Sequence, residues 1–364
     1  MNQFEKQMIL NLCRFQNPDK ERLKKLLQKE AMTSAVLGEL FWNRMAGIAY
    51  HVLEKTELLP LLHREARNAL AGASEQNTQY NKSYFCCLEE LLKTLEPCAR
   101  HYAMLKGAYL CAKYPCGCRT SNDADLLTAP EFLTELGARL ISAGYRQGSV
   151  KNGAFVPASR EEIVRSRMMR GETIPYILKT DLPYLSYFEV DVNFSLDYKN
   201  GGTEAVHEML ERGQTAVMGN RKLPTLDSAD FFLHLCTHLY KEATTYPWIR
   251  MGRDMTLYKY VDLYFLLSGM DICEADAILK RARELCLGRE CVFAVSETIS
   301  LLDDENGMGA HILSGFPEQE KQSLLVVISP EEKKKYRYTQ TDAVKRFFCS
   351  DRASLLKEVG TWTP

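Results

Sequence analysis

Apolar residues recur at three- and four-residue spacing through the first 98 positions, as in Leu23, Leu26 and Leu27 or Leu37, Leu40 and Phe41. That is the period of helices with one buried stripe. Pro18, Thr33, Pro60 and Ser74 punctuate the run, and its last helix is expected over about 75–95, leading directly into a strand at 103–105. Pro130 stands where a helix, EFLTELGARLISA, opens and Gly144 where it ends, after which Tyr145 begins another extended piece. IPYIL then reads as strand. From 186 to 196 the chain reads SYFEVDVNFSL, with Phe188, Val190, Val192, Phe194 and Leu196 on one face and Tyr187, Glu189, Asp191, Asn193 and Ser195 on the other. Such strict alternation predicts a strand with one buried face. Past a turn at Lys199-Asn200-Gly201-Gly202 the helical period returns, with Asp227 or Ser228 capping a helix that carries Phe231, Phe232, Leu235 and Leu239. Helices and short loops are expected from there on, including the basic tail EEKKKYRYTQTDAVKRFF. The implied fold class is α+β: a small mixed β-sheet core at 99–200, an N-terminal helical region at 1–98 and a C-terminal helical domain at 201–364.

Composition narrows the function classes. The chain has 364 residues, 46% hydrophobic and 26% charged, enough for two or three subdomains of a soluble globular protein. A formal net charge of −1 argues against a protein whose main work is neutralising a nucleic-acid backbone. No run approaches the ~18 apolar residues of a membrane span, and the amphipathic start, MNQFEKQMILNLCRF, lacks the apolar centre of a signal peptide. A cytoplasmic setting is expected. The 12 cysteines form no paired C-x-x-C zinc pattern and read as reduced, mostly buried thiols.

The densest chemistry lies between Leu105 and Leu127, LKGAYLCAKYPCGCRTSNDADLL. On an extended strand Asp123 and Asp125 project to one side and Ala124 to the other. Two carboxylates that close repel unless a cation lies between them, and an oxygen-only ligand set suits Mg²⁺. Ser-Asn-Asp is also ordinary turn chemistry. A third acid on the polar face of the 186–196 strand, Asp191, fits the metal reading, while a polar face bathed in water needs no carboxylate there.

These residues resemble the nucleotidyltransferases of the polymerase-beta-like superfamily, most closely a group of uncharacterised bacterial nucleotidyltransferase-like proteins with LKG followed by R-x-x-x-D-x-D. Here that pattern is Leu105, Lys106 and Gly107, then Arg119, Asp123 and Asp125. The resemblance extends to FFLHLCTHLYKEA and YVDLYFLL, about two thirds of the chain. It implies a nucleotidyltransferase-like core at 99–200 and transfer of a nucleoside monophosphate from an NTP to a hydroxyl-bearing small molecule or protein. Asp123, Asp125 and Asp191 would hold two Mg²⁺ ions, typically about 3.5–4 Å apart, with Glu189 as a second candidate base. Lys106, Gly107 and Arg119 would meet phosphate. The pattern departs at Ala108, where many members have Ser, and in the long loop at 108–122. A catalytically silent nucleotide sensor on the same fold is the alternative, and a helical adaptor with an accidental acid pair the third reading.

Other polar clusters carry weaker signals. Arg165, Arg167 and Arg170 fall within six residues and suit either a triphosphate or a solvated helix face. His234, His238 and Glu242 lie one turn apart on one helix face, without the His-Glu-x-x-His pattern of a zinc enzyme; His238 with Lys241 or Glu242 is expected to line the cleft beside the sheet or to be satisfied between subdomains. Asp262 stands alone in an apolar and aromatic run, so it requires a partner, Arg250, Arg253 or a cleft histidine, or a role in positioning substrate.

Overall fold

The computed structural model describes residues 1–169, 171–196, 203–218, 221–317 and 325–362. Along the chain the helices are α1 (Gln3–Leu12), α2 (Lys20–Lys29), α3 (Ser34–Trp42), α4 (Ala46–Lys55), α5 (Arg64–Leu95), α6 (Lys106–Lys113), α7 (Leu133–Ser142), α8 (Arg160–Met169), α9 (Thr203–Glu211), α10 (Ser228–Ala243), α11 (Tyr246–Arg250), α12 (Leu257–Ser268), α13 (Ile272–Glu284), α14 (Gly288–Leu302), α15 (Met308–Ser314) and α16 (Ala343–Phe347). The strands are β1 (Tyr102–Met104), β2 (Asp123–Thr128), β3 (Arg146–Lys151), β4 (Ala154–Pro157), β5 (Tyr176–Leu182), β6 (Leu185–Asn193), β7 (Gln214–Met218), β8 (Arg221–Thr225), β9 (Val326–Ser329), β10 (Lys334–Tyr338) and β11 (Leu356–Thr361). The fold is α+β, and the chain divides into two compact units, Gly72–Phe231 and Met1–Ala71 with Phe232–Pro364.

The unit Gly72–Phe231 is built on an eight-stranded mixed sheet in the order β4-β3-β5-β6-β2-β1-β8-β7. The β2/β6 and β1/β8 pairs are parallel, and the other neighbours are antiparallel. The alternation in β6 decides which face is covered: Phe188, Val190 and Val192 are buried, and with Ala124 and Leu126 of β2 they pack with Tyr84, Leu88, Leu91 and Leu95 of α5 and with Leu136 and Leu140 of α7. Deleting the fully buried Phe188 ring would cost about 3–5 kcal/mol, as core Phe→Ala changes do. Covering that face leaves the acidic parity of β2 and β6 to the other.

The other unit is mainly helical and carries a three-stranded sheet, β11-β10-β9. Two buried ion pairs fix its polar interior: Arg352 grips Asp254 with several hydrogen bonds, the shortest at 2.6 Å, and Arg346 pairs with Glu297. Each buried charge is thereby partnered, as its desolvation demands.

Several expectations need correction. Ser74 interrupts nothing, because α5 runs unbroken from Arg64 to Leu95. The stretch at 108–122 is not a single loop: α6 occupies Lys106–Lys113 and stops where Pro115 forces Tyr114 into an extended conformation (φ −78°, ψ 156°). After residue 202 the chain does not simply return to helix, since the β7/β8 hairpin adds two strands to the sheet. The basic tail is strand at β10, with only Ala343–Phe347 helical. Lys199-Asn200-Gly201-Gly202 and Arg170 lie outside the described residues.

Candidate active site

Parallel pairing of β2 with β6 sets the geometry. Asp125 is opposite Asp191 and Asp123 opposite Glu189; neighbouring strands are about 4.8 Å apart and residues in register share a face. Four carboxyl groups from two strands therefore stand together. Lys106, the first residue of α6, reaches back to Asp125, Nζ to Oδ1 at 2.9 Å. The Leu105 amide donates to the Asp125 carbonyl at 2.9 Å, tying the start of the helix to the acidic strand. Lys106 itself sits at φ +37°, a left-handed conformation that costs about 1–3 kcal/mol in a non-glycine residue and persists where neighbours over-determine it.

Gly107 follows within α6, and what it admits is the side chain of Ser121. A Cβ at Gly107 would fall 2.0 Å from Ser121 Oγ and 2.4 Å from Ser121 Cβ. That buried hydroxyl donates to Asp123 Oδ1 at 3.0 Å. Ser121 thus brings a hydroxyl to the acid pair in a chain that has Ala108 after the glycine.

The loop that carries Ser121 and leads into Asp123, the first residue of β2, hangs on one face of α5. Asn77 donates to the carbonyl of Gly117 (3.1 Å), Asn81 to Arg119 (3.1 Å), Tyr80 to Ser121 (2.9 Å) and Tyr84 to Asp123 (2.9 Å). Donors at these spacings line a single helix face; three satisfy loop carbonyls and Tyr84 that of Asp123, the first residue of β2. The pattern is present in the sequence as polar and phenolic residues interleaved with the apolar stripe of α5, but nothing local ties it to the loop.

Electrostatics at the cluster are dominated by burial and mutual repulsion. Burial pushes the Asp125 carboxyl up, the Lys106 ammonium opposes this, and Asp123 and Glu172 add to the rise. Asp191 is driven well above the usual carboxylate range by burial, then by Asp125, Asp123 and Glu189. Glu189 is pushed up to about 7 by burial, then by Asp123 and Asp125. Among the described residues, Oδ1 of Asp191 is buried and accepts no hydrogen bond. An orphaned buried carboxylate oxygen amid like charges is what a divalent cation relieves, so the donor set fits a hard metal. Glu172 is a further acid that the pattern of the sequence did not single out; it bridges to Asn193 at the end of β6.

The remaining candidates are placed as follows. Arg119 is 6% exposed, and its guanidinium donates to the Thr120 carbonyl. Arg165 and Arg167 are exposed on α8. His238 lies 3.7 Å from Glu242, which also pairs with Lys259; His234 and Asp262 are buried. Among the described residues, His234, His238 and Glu242 do not gather as a metal-ligand group, and no helix is long and apolar enough to cross a membrane.

A family model described as an uncharacterised nucleotidyltransferase matches residues 30–301. The chain belongs to this nucleotidyltransferase family. The match spans the whole eight-stranded sheet with its acidic strands, α3 to α5 before it and α10 to α13 after it. No curated protein matches the chain. One solved structure that the chain resembles is an antigenic nucleotidyltransferase-like protein from Paracoccidioides brasiliensis, with 13% identity over 54% of this chain and 88% of that one and a TM-score of 0.31.

Proposed function

We propose that the protein is a Mg²⁺-dependent enzyme of the polymerase-beta-like superfamily that moves a nucleoside monophosphate from an NTP to a hydroxyl-bearing acceptor with release of pyrophosphate. The observation that carries this reading is the orphaned Asp191 Oδ1, on the strand register that sets Asp191 against Asp125. Asp123, Asp125 and Asp191 would hold the metal, which when bound neutralises the triphosphate and acidifies the acceptor hydroxyl. Asp191 takes the acceptor proton, with Glu189 the second candidate for that role. The acceptor oxygen then bonds to the α-phosphorus while the bond from that phosphorus to the bridging oxygen breaks, its electron pair leaving with pyrophosphate.

The chain's own residues also hold the phosphates. The N–H groups of Gly107 and Ala108, in the first turn of α6, precede its first i→i−4 hydrogen bond and suit phosphate oxygens. Lys106 contributes charge beside them, and Arg119, buried against its own loop, contributes field more than contact. Ser121 keeps the Asp123 carboxylate oriented toward the metal.

The test is to incubate the protein with each labelled NTP, Mg²⁺ and a metabolite extract, measuring label transfer and pyrophosphate together. Pyrophosphate release matched by label in an acceptor is the expected result. Metal-dependent NTP binding without pyrophosphate, whatever the acceptor, would favour a nucleotide sensor on this fold. Absence of metal-dependent NTP binding would sink both readings.

A further inference from the structure

A second cluster of ligand-type side chains lies at the opposite end of β2 from the acid pair. Cys98 closes the short turn after α5, His101 precedes β1, and Glu135 is in the first turn of α7. The thiol of Cys98 donates to Glu135 Oε1 at 3.1 Å, and His101 Nδ1 lies 3.4 Å from Glu135 Oε2. All three ligand atoms fall within 4.8 Å of one another.

These separations suit a tetrahedral metal. With metal–sulfur near 2.3 Å and metal–nitrogen or metal–oxygen near 2.0–2.1 Å, ligand atoms around such a centre are about 3.3–3.5 Å apart. Among the described residues His101 Nδ1 is buried and has no hydrogen-bond partner, although it faces the carboxylate. The ring is held flat against Phe132, centroids 3.9 Å apart and planes 6° from parallel. Thr128, the last residue of β2, donates to the His101 carbonyl at 2.6 Å. Both ring and backbone are thus set, as a metal-ligating imidazole requires. Thr128 is five residues from Asp123, about 16 Å at the rise of a strand, so the two clusters are distinct.

We infer that Cys98, His101 and Glu135 form a binding site for a borderline-soft divalent cation, Zn²⁺ above all, which fastens the end of α5, the start of β1 and α7 together. Thiolate and imidazole disfavour Mg²⁺ and favour zinc. Binding replaces the sulfur–hydrogen bond of Cys98 with a sulfur–metal bond and releases one proton to solvent, while His101 donates its Nδ1 lone pair and keeps its proton on Nε2. Thiolate and carboxylate then cancel the two positive charges. This matters because Arg139 lies 3.3 Å from Glu135: a neutral centre leaves that guanidinium in place, whereas a net cation would expel it. A water completes the fourth position on the partly exposed side formed by His101 and Glu135.

The experiment uses the full chain, stripped with chelator and titrated with Co²⁺ in excess Mg²⁺, which keeps the carboxylate site filled. Thiolate ligation gives Co²⁺ a near-ultraviolet charge-transfer band that oxygen ligands cannot produce. The expected result is one band-forming Co²⁺ per chain, displaced by Zn²⁺ with release of a proton in the zinc titration of metal-free protein. Cys98→Ser removes the band, and Glu135→Gln or His101→Ala weakens binding at least ~10-fold. Far-UV circular dichroism checks folding, and Glu135→Gln, at a partly exposed position, decides the matter should Cys98→Ser fail to fold. A band that survives Cys98→Ser, affinity unchanged in Glu135→Gln, or no band in the wild type would overturn the site.

Discussion

Removing one negative charge next to the acid pair should stabilise the metal-free protein, by an amount set by Glu189. Its carboxyl rises from the usual 4.5 to about 7 because ionised Glu189 is partly desolvated and faces Asp123 and Asp125. The folded state holds this proton more tightly than the unfolded chain, so stability is greatest below pH 4.5 and falls as pH climbs toward 7. A rise of about 2.5 pH units at about 1.36 kcal/mol each gives about 3 kcal/mol; Glu189 is partly exposed, and solvent screening reduces this to about 1–2 kcal/mol. Glu189→Gln keeps shape and removes the charge. In chelator at pH 8 the variant should melt about 2–8 °C above wild type, at roughly 2–4 °C per kcal/mol for a unit of this size, and the gap should close at pH 4.5. Mg²⁺ should flatten the wild-type decline, since a cation at Asp123 and Asp125 cancels the repulsion. Scanning calorimetry from pH 4.5 to 8.5, with chelator and with Mg²⁺, measures all of this. Wild type that is as stable in chelator at pH 8 as at pH 5, or a Gln variant with no gain at pH 8, would refute the electrostatic account.

Three further outcomes follow from the same geometry. Asp191→Asn should keep much of the Mg²⁺-NTP affinity and lose turnover, because the amide retains an oxygen ligand but accepts no proton, while Asp123→Asn should lose both; calorimetric titration beside a pyrophosphate assay separates the two. Gly107→Ala should cost about 1–3 kcal/mol in chemical denaturation by driving a methyl into Ser121, and Ser121→Gly in the same chain should recover most of that loss; no recovery would mean that the close approach is not the cause. Tyr84→Phe should cost about 1–3 kcal/mol by leaving the Asp123 carbonyl unpaired and weaken Mg²⁺ binding by titration; unchanged metal affinity would show that Asp123 needs no support from α5.

The helical opening and the β6 strand were legible because each has a single apolar face whose period is unambiguous. Other elements have patterns that take meaning only from a partner. In β7, Val217 is 72% exposed, and β8 contains Pro224; the pairing of these short strands with each other and with β1 supplies what their residues do not. In β10 the lysines look like a solvated helix until Tyr338 is seen buried, with the exposed Arg337 between it and Tyr336. The acid pair was visible from its spacing alone. Ser121 was not, because nothing in its neighbourhood says that it will lie against Gly107.

The four donors of α5 also bear on how such a site tolerates drift in its sequence. Asp123 owes its position to Asn77, Tyr80, Asn81 and Tyr84 rather than to its distance along the chain from Gly107. Extra residues between Pro115 and Cys116, both exposed, would bulge outward and leave the acids where they are, so the interval between the LKG and DxD motifs is free to lengthen there. A single residue added to α5 between Asn77 and Tyr84 would turn part of that donor row through about 100°, detaching Asp123 although every acidic residue remained. Spacing constraints in this protein therefore fall on a helix that contributes no ligand.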